Sequence, residues 1–320
     1  MSRACRSFVA ALALAVSVCA FVASPRAADT LVFPGAAWDK IAPAQAGWST
    51  AGLKAAEDSS RTIQTAAVMV VSGGRVVGEW GEPTRKFNVH SIRKSFLSAM
   101  YGIYVHEGRI DLSATLESLG IDDNEPSLTP IEKKATLHVL IEARSGVYHS
   151  ALYETPGMKA ARPQRGSHAP GMFWYYNNWD FNVLGTVFER LTKTNLFTAF
   201  ETRIANPIGM EDYRIEDTEY VGGPDSVYPA YPFRMTARDM ARFGLLFARS
   251  ESVLGQDGDG FRVLLNLRRR RADTAARIAG LELRMLRGHL VERLEHAAQL
   301  LDLFDRERVV EELLLIGVSR

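Results

Sequence analysis

The chain has 320 residues, 47% apolar and 23% charged, with 25 glycines and 13 prolines. Those fractions exclude a collagen, a disulfide miniprotein and a wholly disordered chain, and the length suits one large domain with an appendage, or two domains. Lys plus Arg number 38 against 37 for Asp plus Glu, so no overall basic field draws in nucleic acid or anionic lipid.

The first 28 residues hold no acid. Arg3 and Arg6 precede an apolar run from Phe8 to about Val22, and the small residues Ala23, Ser24, Ala27 and Ala28 follow. A basic start, a short apolar run and a small-residue exit read as a secretory signal peptide over 1–28, hence a secreted or periplasmic protein. The run is short and alanine-rich for a membrane span. Both cysteines, Cys5 and Cys19, lie inside it, so the mature chain is expected to have no disulfide, thiolate metal site or cysteine nucleophile.

Beyond the leader, Ala66–Val71 and Arg75–Trp80 are β-rich runs around Ser72-Gly73-Gly74, which predicts a hairpin. Helices are expected from Ser91 to about Val105, from Leu137 to Ala143, and from about Asp180 to Thr192. A Pro/Gly/His-rich loop, Tyr148–Gly171, separates the last two. Asn206–Met210 reads as a turn and Met235–Arg249 as a helix with a threonine cap. After Ser250 the texture changes. Val253–Gly260 is a glycine-aspartate linker, Arg268–Arg271 a basic run that reads as solvated linker, and Ala272–Ile316 a Leu/Arg/Glu-rich stretch with helical spacing.

The chemistry-bearing signals are few. No Gly-x-Ser-x-Gly elbow, His-Glu-x-x-His, Gly-x-Gly-x-x-Gly or phosphate loop occurs, and the histidines do not cluster at ligand spacing. No metal or organic cofactor is expected. What remains is Ser91-Ile92-Arg93-Lys94. Residues i and i+3 share a helix face, so this spacing brings a hydroxyl and an amine together; a lysine kept neutral by burial and positive neighbours can take the serine proton. In isolation the same four residues are equally a helix cap beside a solvated lysine.

A second element lies at 170–185, PGMFWYYNNWDFNVLG. Here the chain resembles the serine β-lactamase and penicillin-binding superfamily, specifically its class C-like branch, which places Tyr-x-Asn or Tyr-x-Ser after a Pro-Gly and before a Leu-Gly helix. Spacing from Gly171 and Gly185 selects Tyr176 with Asn178, and Tyr175 with Asn177 is the alternative. HEGRIDLSATLESLGI, ATLHVLIEARSGVYHS, ANPIGMEDYR and YPFRMTARDMARFGLLF are similar to further segments of the family, and the resemblance covers about residues 45–250. It implies acyl transfer to Ser91 from a small ester, amide or peptide. Lys94 and Tyr176 would share the general-base role, Asn178 would orient Lys94 and the substrate amide, and the Ser91 N–H would serve as one oxyanion donor.

The superfamily's third motif, Lys-Thr-Gly or His-x-Gly on a strand near the C-terminus, finds no counterpart after residue 250. The expected fold is therefore an α/β (α+β) one: a β-lactamase-like antiparallel sheet with a helical domain over 29–252, the sheet incomplete at its C-terminal side, and a helical tail over 253–320. The hairpin at 66–80 is then expected to have an open edge and an uncovered apolar face. Either the tail replaced the native end of a truncated relative, or it packs over the sheet or self-associates. The functional expectation is a serine hydrolase impaired by the missing motif, against an inactive relative or interaction protein using its tail.

Overall fold

The computed structural model describes residues 32–63, 65–253 and 314–319. The expected leader and, apart from Val253 and residues 314–319, the expected helical tail lie outside these residues. In chain order the described elements are α1 (Thr50–Thr62), β1 (Thr65–Ser72), β2 (Arg75–Gly81), β3 (Phe87–Asn88), α2 (Arg93–His106), α3 (Leu137–Ile141), α4 (Pro156–Ala161), α5 (Asn178–Thr192), α6 (Leu196–Phe200), β4 (Val221–Gly223), β5 (Ser226–Ala230), β6 (Arg234–Met235), α7 (Ala237–Val253) and β7 (Leu314–Ser319). It is a mixed α/β fold with small antiparallel sheets, as the sequence predicts.

β1 and β2 form the expected hairpin, with Ser72 opposite Arg75. Gly73 and Gly74 both have positive φ, 57° and 78°, which a two-residue turn matched to strand twist requires. β1 is central in a three-stranded sheet of order β2-β1-β7. Two expectations are corrected here. The edge of β1 opposite β2 is occupied, because β7 pairs antiparallel along Val68–Val71 from Gly317 to Leu314. Residues 314–316, expected to end a helix, are thus strand; Leu-Leu-Ile-Gly-Val-Ser is short, apolar and partly β-branched, and pairing satisfies its backbone along β1.

Nor is an apolar face left bare. Ala67, Met69 and Val71 pack with Val76 against Ala237 and Ala241 of α7, with Trp38 and Phe87 beside them. The alternate residues Val68 and Val70 pack with Val77 against Leu53 of α1, flanked by Ile41, Trp48 and Trp80. The unbroken apolar run of β1 is the signature of a strand covered on both sides.

The helical region surrounds a larger core. Phe96 of α2 sits at its centre, its ring 4.9 Å from Phe200, 5.3 Å from Phe233 and 4.7 Å from Phe243, mostly in tilted or edge-on geometry. Such contacts fix the rotation of α2 about its axis. Two further ties fix its start: β3 pairs with β6 through Phe87–Met235 and Asn88–Arg234, and the Val89 N–H donates to Phe233 O at 3.0 Å. α5 is fully packed in its middle, and Trp179 in its first turn donates from Nε1 to Asp123 at 2.7 Å. Among the described residues no helix is long and apolar enough to cross a membrane.

Candidate active site

Ser91 lies in a 3-10 turn, His90–Ile92, that runs straight into α2. The turn opens on His90, which adopts a left-handed φ of 44°; its N–H donates to the Asn88 side chain at 2.9 Å, offsetting part of the strain of that backbone. Ser91 is exposed at the N-terminal end of the helix, while Lys94, one turn on, is buried. Tyr176 is half-buried and immediately precedes the Asn177 cap of α5.

The structure brings these three side chains together. Lys94 Nζ stands 3.1 Å from Ser91 Oγ and 3.0 Å from Tyr176 OH. It also lies 4.7 Å from the Tyr176 ring centroid and 5.3 Å from that of Phe181. Burial pushes the Lys94 amine down to about 6, and the adjacent Arg93 charge pushes the same way. At neutral pH Lys94 is then a free amine, with two N–H groups to donate and a lone pair to accept.

The two neighbouring tyrosines point in different directions. Tyr175 is buried and donates its hydroxyl to Met158 O at 2.8 Å, away from Lys94. Asn177 caps α5 by accepting from the Trp179 N–H and donates to Val147 O and Asp180. Asn178 departs from its expected part. Its Nδ2 donates to Tyr153 O at 2.6 Å, and Lys94 hydrogen-bonds only Ser91 and Tyr176 among the described residues. As the first residue of α5, Asn178 directs its amide at the loop carbonyl instead of the lysine. Its Oδ1 is buried with no hydrogen-bond partner among the described residues.

Further features of this region come from the structure. Arg93, between serine and lysine, is buried; nothing in Ser-Ile-Arg-Lys distinguishes that from an exposed arginine. Tyr231 packs beneath it, its ring 4.1 Å from the guanidinium carbon. Gly185 was legible as part of Leu-Gly, and the reason for it is now physical: a Cβ there would fall 2.8 Å from Tyr231 Cε1. Ser145 of the Ser-Gly turn donates to Asp180 at 2.5 Å, joining that turn to α5. Burial pushes the Asp180 carboxyl well above its ordinary range despite those donors.

Among the described residues no group of three or more His, Cys, Asp or Glu is placed to hold a metal ion. β7 carries neither Lys-Thr-Gly nor His-x-Gly.

A serine, a buried neutral amine and a phenol in one hydrogen-bonded chain are the parts of a nucleophile with its base. The Beta-lactamase family model matches residues 37–289. The chain belongs to the β-lactamase family. Solved structures similar to this chain include SurE with D-Leu, at 20% identity and TM-score 0.44 over 60% of this chain and 50% of that one. A putative 6-aminohexanoate-dimer hydrolase from Bacillus anthracis shares 24% identity at TM-score 0.44 over 61% and 56%. The octameric penicillin-binding protein homologue from Pyrococcus abyssi shares 16% at TM-score 0.46 over 62% and 56%. The chain thus spans about half the length of these solved structures.

Proposed function

We propose that the protein hydrolyses a small ester or amide through an acyl-enzyme on Ser91. The observation that carries this reading is the Ser91–Lys94–Tyr176 chain, with contacts of 3.1 and 3.0 Å around a buried amine. Ser91 Oγ attacks the substrate carbonyl and its proton passes to the lone pair of Lys94. Negative charge develops on the carbonyl oxygen, which the Ser91 N–H at the entry of α2 stabilises. Collapse of the tetrahedral intermediate breaks the bond to the leaving group, and Tyr176, re-protonated by Lys94, supplies the proton that group needs. Water then attacks the acyl-enzyme, giving its proton to the same pair and releasing the acid and free Ser91. The leader at 1–28 supports an exported protein; the mature chain then begins near residue 29, which N-terminal sequencing of exported material tests.

A fluorophosphonate probe, which phosphonylates an activated serine, provides the test. The expected result is labelling of the folded protein that disappears in Ser91→Ala. Folded protein that takes up no probe, or that labels equally in Ser91→Ala, overturns the reading and favours a non-catalytic relative.

A further inference from the structure

Three tryptophans donate the indole N–H to a protein acceptor. Trp38 meets Arg238 O at 3.1 Å, Trp80 meets Ser60 Oγ at 2.7 Å, and Trp179 meets Asp123 at 2.7 Å. Trp174 differs. It is half-buried, as Trp38 and Trp80 are, yet its N–H makes no hydrogen bond among the described residues. Its ring adjoins that of Tyr176, with the centroids 6.4 Å apart and the planes tilted by 36°. A tryptophan with an open part of its ring and an unspent donor is equipped for apolar contact and a hydrogen bond together.

The segment before α5 sorts its aromatic side chains to two sides. Phe173 stacks on His168 at 4.2 Å, and Tyr175 lies 5.8 Å from Tyr148, whose own ring is 6.0 Å from His168. Trp174 and Tyr176 turn the other way, the alternation an extended chain imposes, and Tyr176 ends on Lys94. The backbone holds this sorting in place. The Tyr175 N–H donates to Ala143 O at 3.0 Å, and the Gly171 N–H to Arg144 O at 2.8 Å. Part of Trp174 packs on the large core; the rest is open. The chain next to each reacting group is apolar and exposed as well. Ile92, which follows Ser91, is 45% exposed, and Met172, two residues before Trp174, is 73% exposed.

We infer that Trp174 is a specificity-determining residue: its open ring receives an aromatic group carried on the leaving-group side of the substrate. The inference rests on the proposed acyl-transfer reading, which supplies the direction. Tyr176 hands its proton to the leaving atom, so that atom stands at the phenol, and the group it carries meets the ring beside that phenol. A benzyl-type alcohol or amine suits the place. Aromatic pairs gain in offset or edge contact beyond the area they bury, and the indole N–H is free for an oxygen of the same ligand.

The test reads Trp174 directly. Ser91→Ala, which lacks the proposed nucleophile, is labelled with nitrogen-15 in its indoles and titrated by NMR with benzyl acetate, then with methyl acetate. The two alcohols differ little in acidity and greatly in apolar area. The Trp174 signal is assigned by its loss in Trp174→Phe or, should that variant not fold, by through-space contact with the Tyr176 ring. Benzyl acetate is expected to shift the Trp174 signal saturably, at roughly tenfold lower concentration than methyl acetate, with Trp38, Trp80 and Trp179 unmoved. A Trp174 signal that stays in place, or that drifts without saturation in both esters, overturns the inference. Binding is read here without turnover, so failure of fluorophosphonate labelling strikes the functional reading alone. Where the parent cleaves both esters, Trp174→Ala is expected to lower kcat/KM for benzyl acetate roughly tenfold more than for methyl acetate. An equal fall in both is what a merely structural tryptophan gives, and it overturns the assignment.

Discussion

Two ionisable groups are buried within reach of the start of α5, and their surroundings are opposite in kind. Asp180 is met by two donors, the Ser145 hydroxyl and the Asn177 amide, and its other oxygen has no hydrogen-bond partner among the described residues. Lys94 is met by a hydroxyl, a phenol and a neighbouring cation. Burial favours the neutral form of each. For the acid this yields a joint between a loop and a helix, because its Oδ1 accepts from both the Ser145 hydroxyl and the Asn177 amide. For the amine it yields a base, because removing the proton exposes a lone pair 3.1 Å from Ser91 Oγ. On the proposed acyl-transfer reading the same desolvation is structural in one place and chemical in the other, and what separates them is the exposed Ser91 hydroxyl alongside.

The largest expected effects follow from removing the amine. Lys94→Met is expected to slow fluorophosphonate labelling roughly 10³-fold and yet stabilise the fold. Folding lowers the proton affinity of Lys94 from 10.5 to about 6, so between those values the unfolded chain binds more protons and stability rises with pH. Urea denaturation should show Lys94→Met more stable at pH 7, on the order of 3 kcal/mol, with that rise abolished. A Lys94→Met variant less stable than the parent would break the contrast between the two pockets.

Next in size is the pair of tyrosines. Tyr176→Phe is expected to cut the labelling rate roughly 10²-fold with little change in stability. Tyr175→Phe removes the bond to Met158 O, and calorimetry should show a loss of about 1 kcal/mol with labelling intact. Equal effects on labelling would mean that Tyr176 holds no special place.

Gly185→Ala probes the support beneath Arg93. The added Cβ would force Tyr231 to move, and denaturation is expected to show a cost of about 1–3 kcal/mol. The smallest effect is expected at the joint. Because folding raises the Asp180 carboxyl, stability falls as pH rises above the ordinary aspartate range. Asp180→Asn keeps an acceptor for Ser145, so it should flatten that fall and raise the melting temperature more at pH 8 than at pH 4.

Much of the site was legible because its signals are local. Ser91 and Lys94 are one helical turn apart, and Tyr176 stands at a fixed distance from Gly171 and Gly185. The hairpin was legible from Gly73 and Gly74, and the cap of α7 from Thr236. What the sequence hid depends on partners distant along the chain. Asn178 is read as a lysine ligand until the carbonyl of Tyr153 claims its amide. The burial of Arg93 is not written in Ser-Ile-Arg-Lys; it comes from Tyr231 and Asn182, which lie against it in space. The covered faces of β1 were announced by Ala66–Val71, an apolar run without alternation, but the change of composition after Ser250 drew attention to what was missing instead. The strand at 314–319 follows a Leu-rich stretch whose helical spacing continues into it, and six residues are too few for periodicity to separate the two.

The seat of β1 between β2 and β7 bears on the order in which the molecule assembles. One neighbour arrives two residues later, across the Gly73-Gly74 turn; the other arrives only about 240 residues on. Contacts among α2, α5 and α6, by contrast, join segments much nearer in sequence. A newly made chain would therefore hold its serine, lysine and tyrosine in an assembled helical half while one rim of the central strand still waited for its partner. During that interval the waiting rim is the place where a chaperone, a protease or a second nascent chain would find hold.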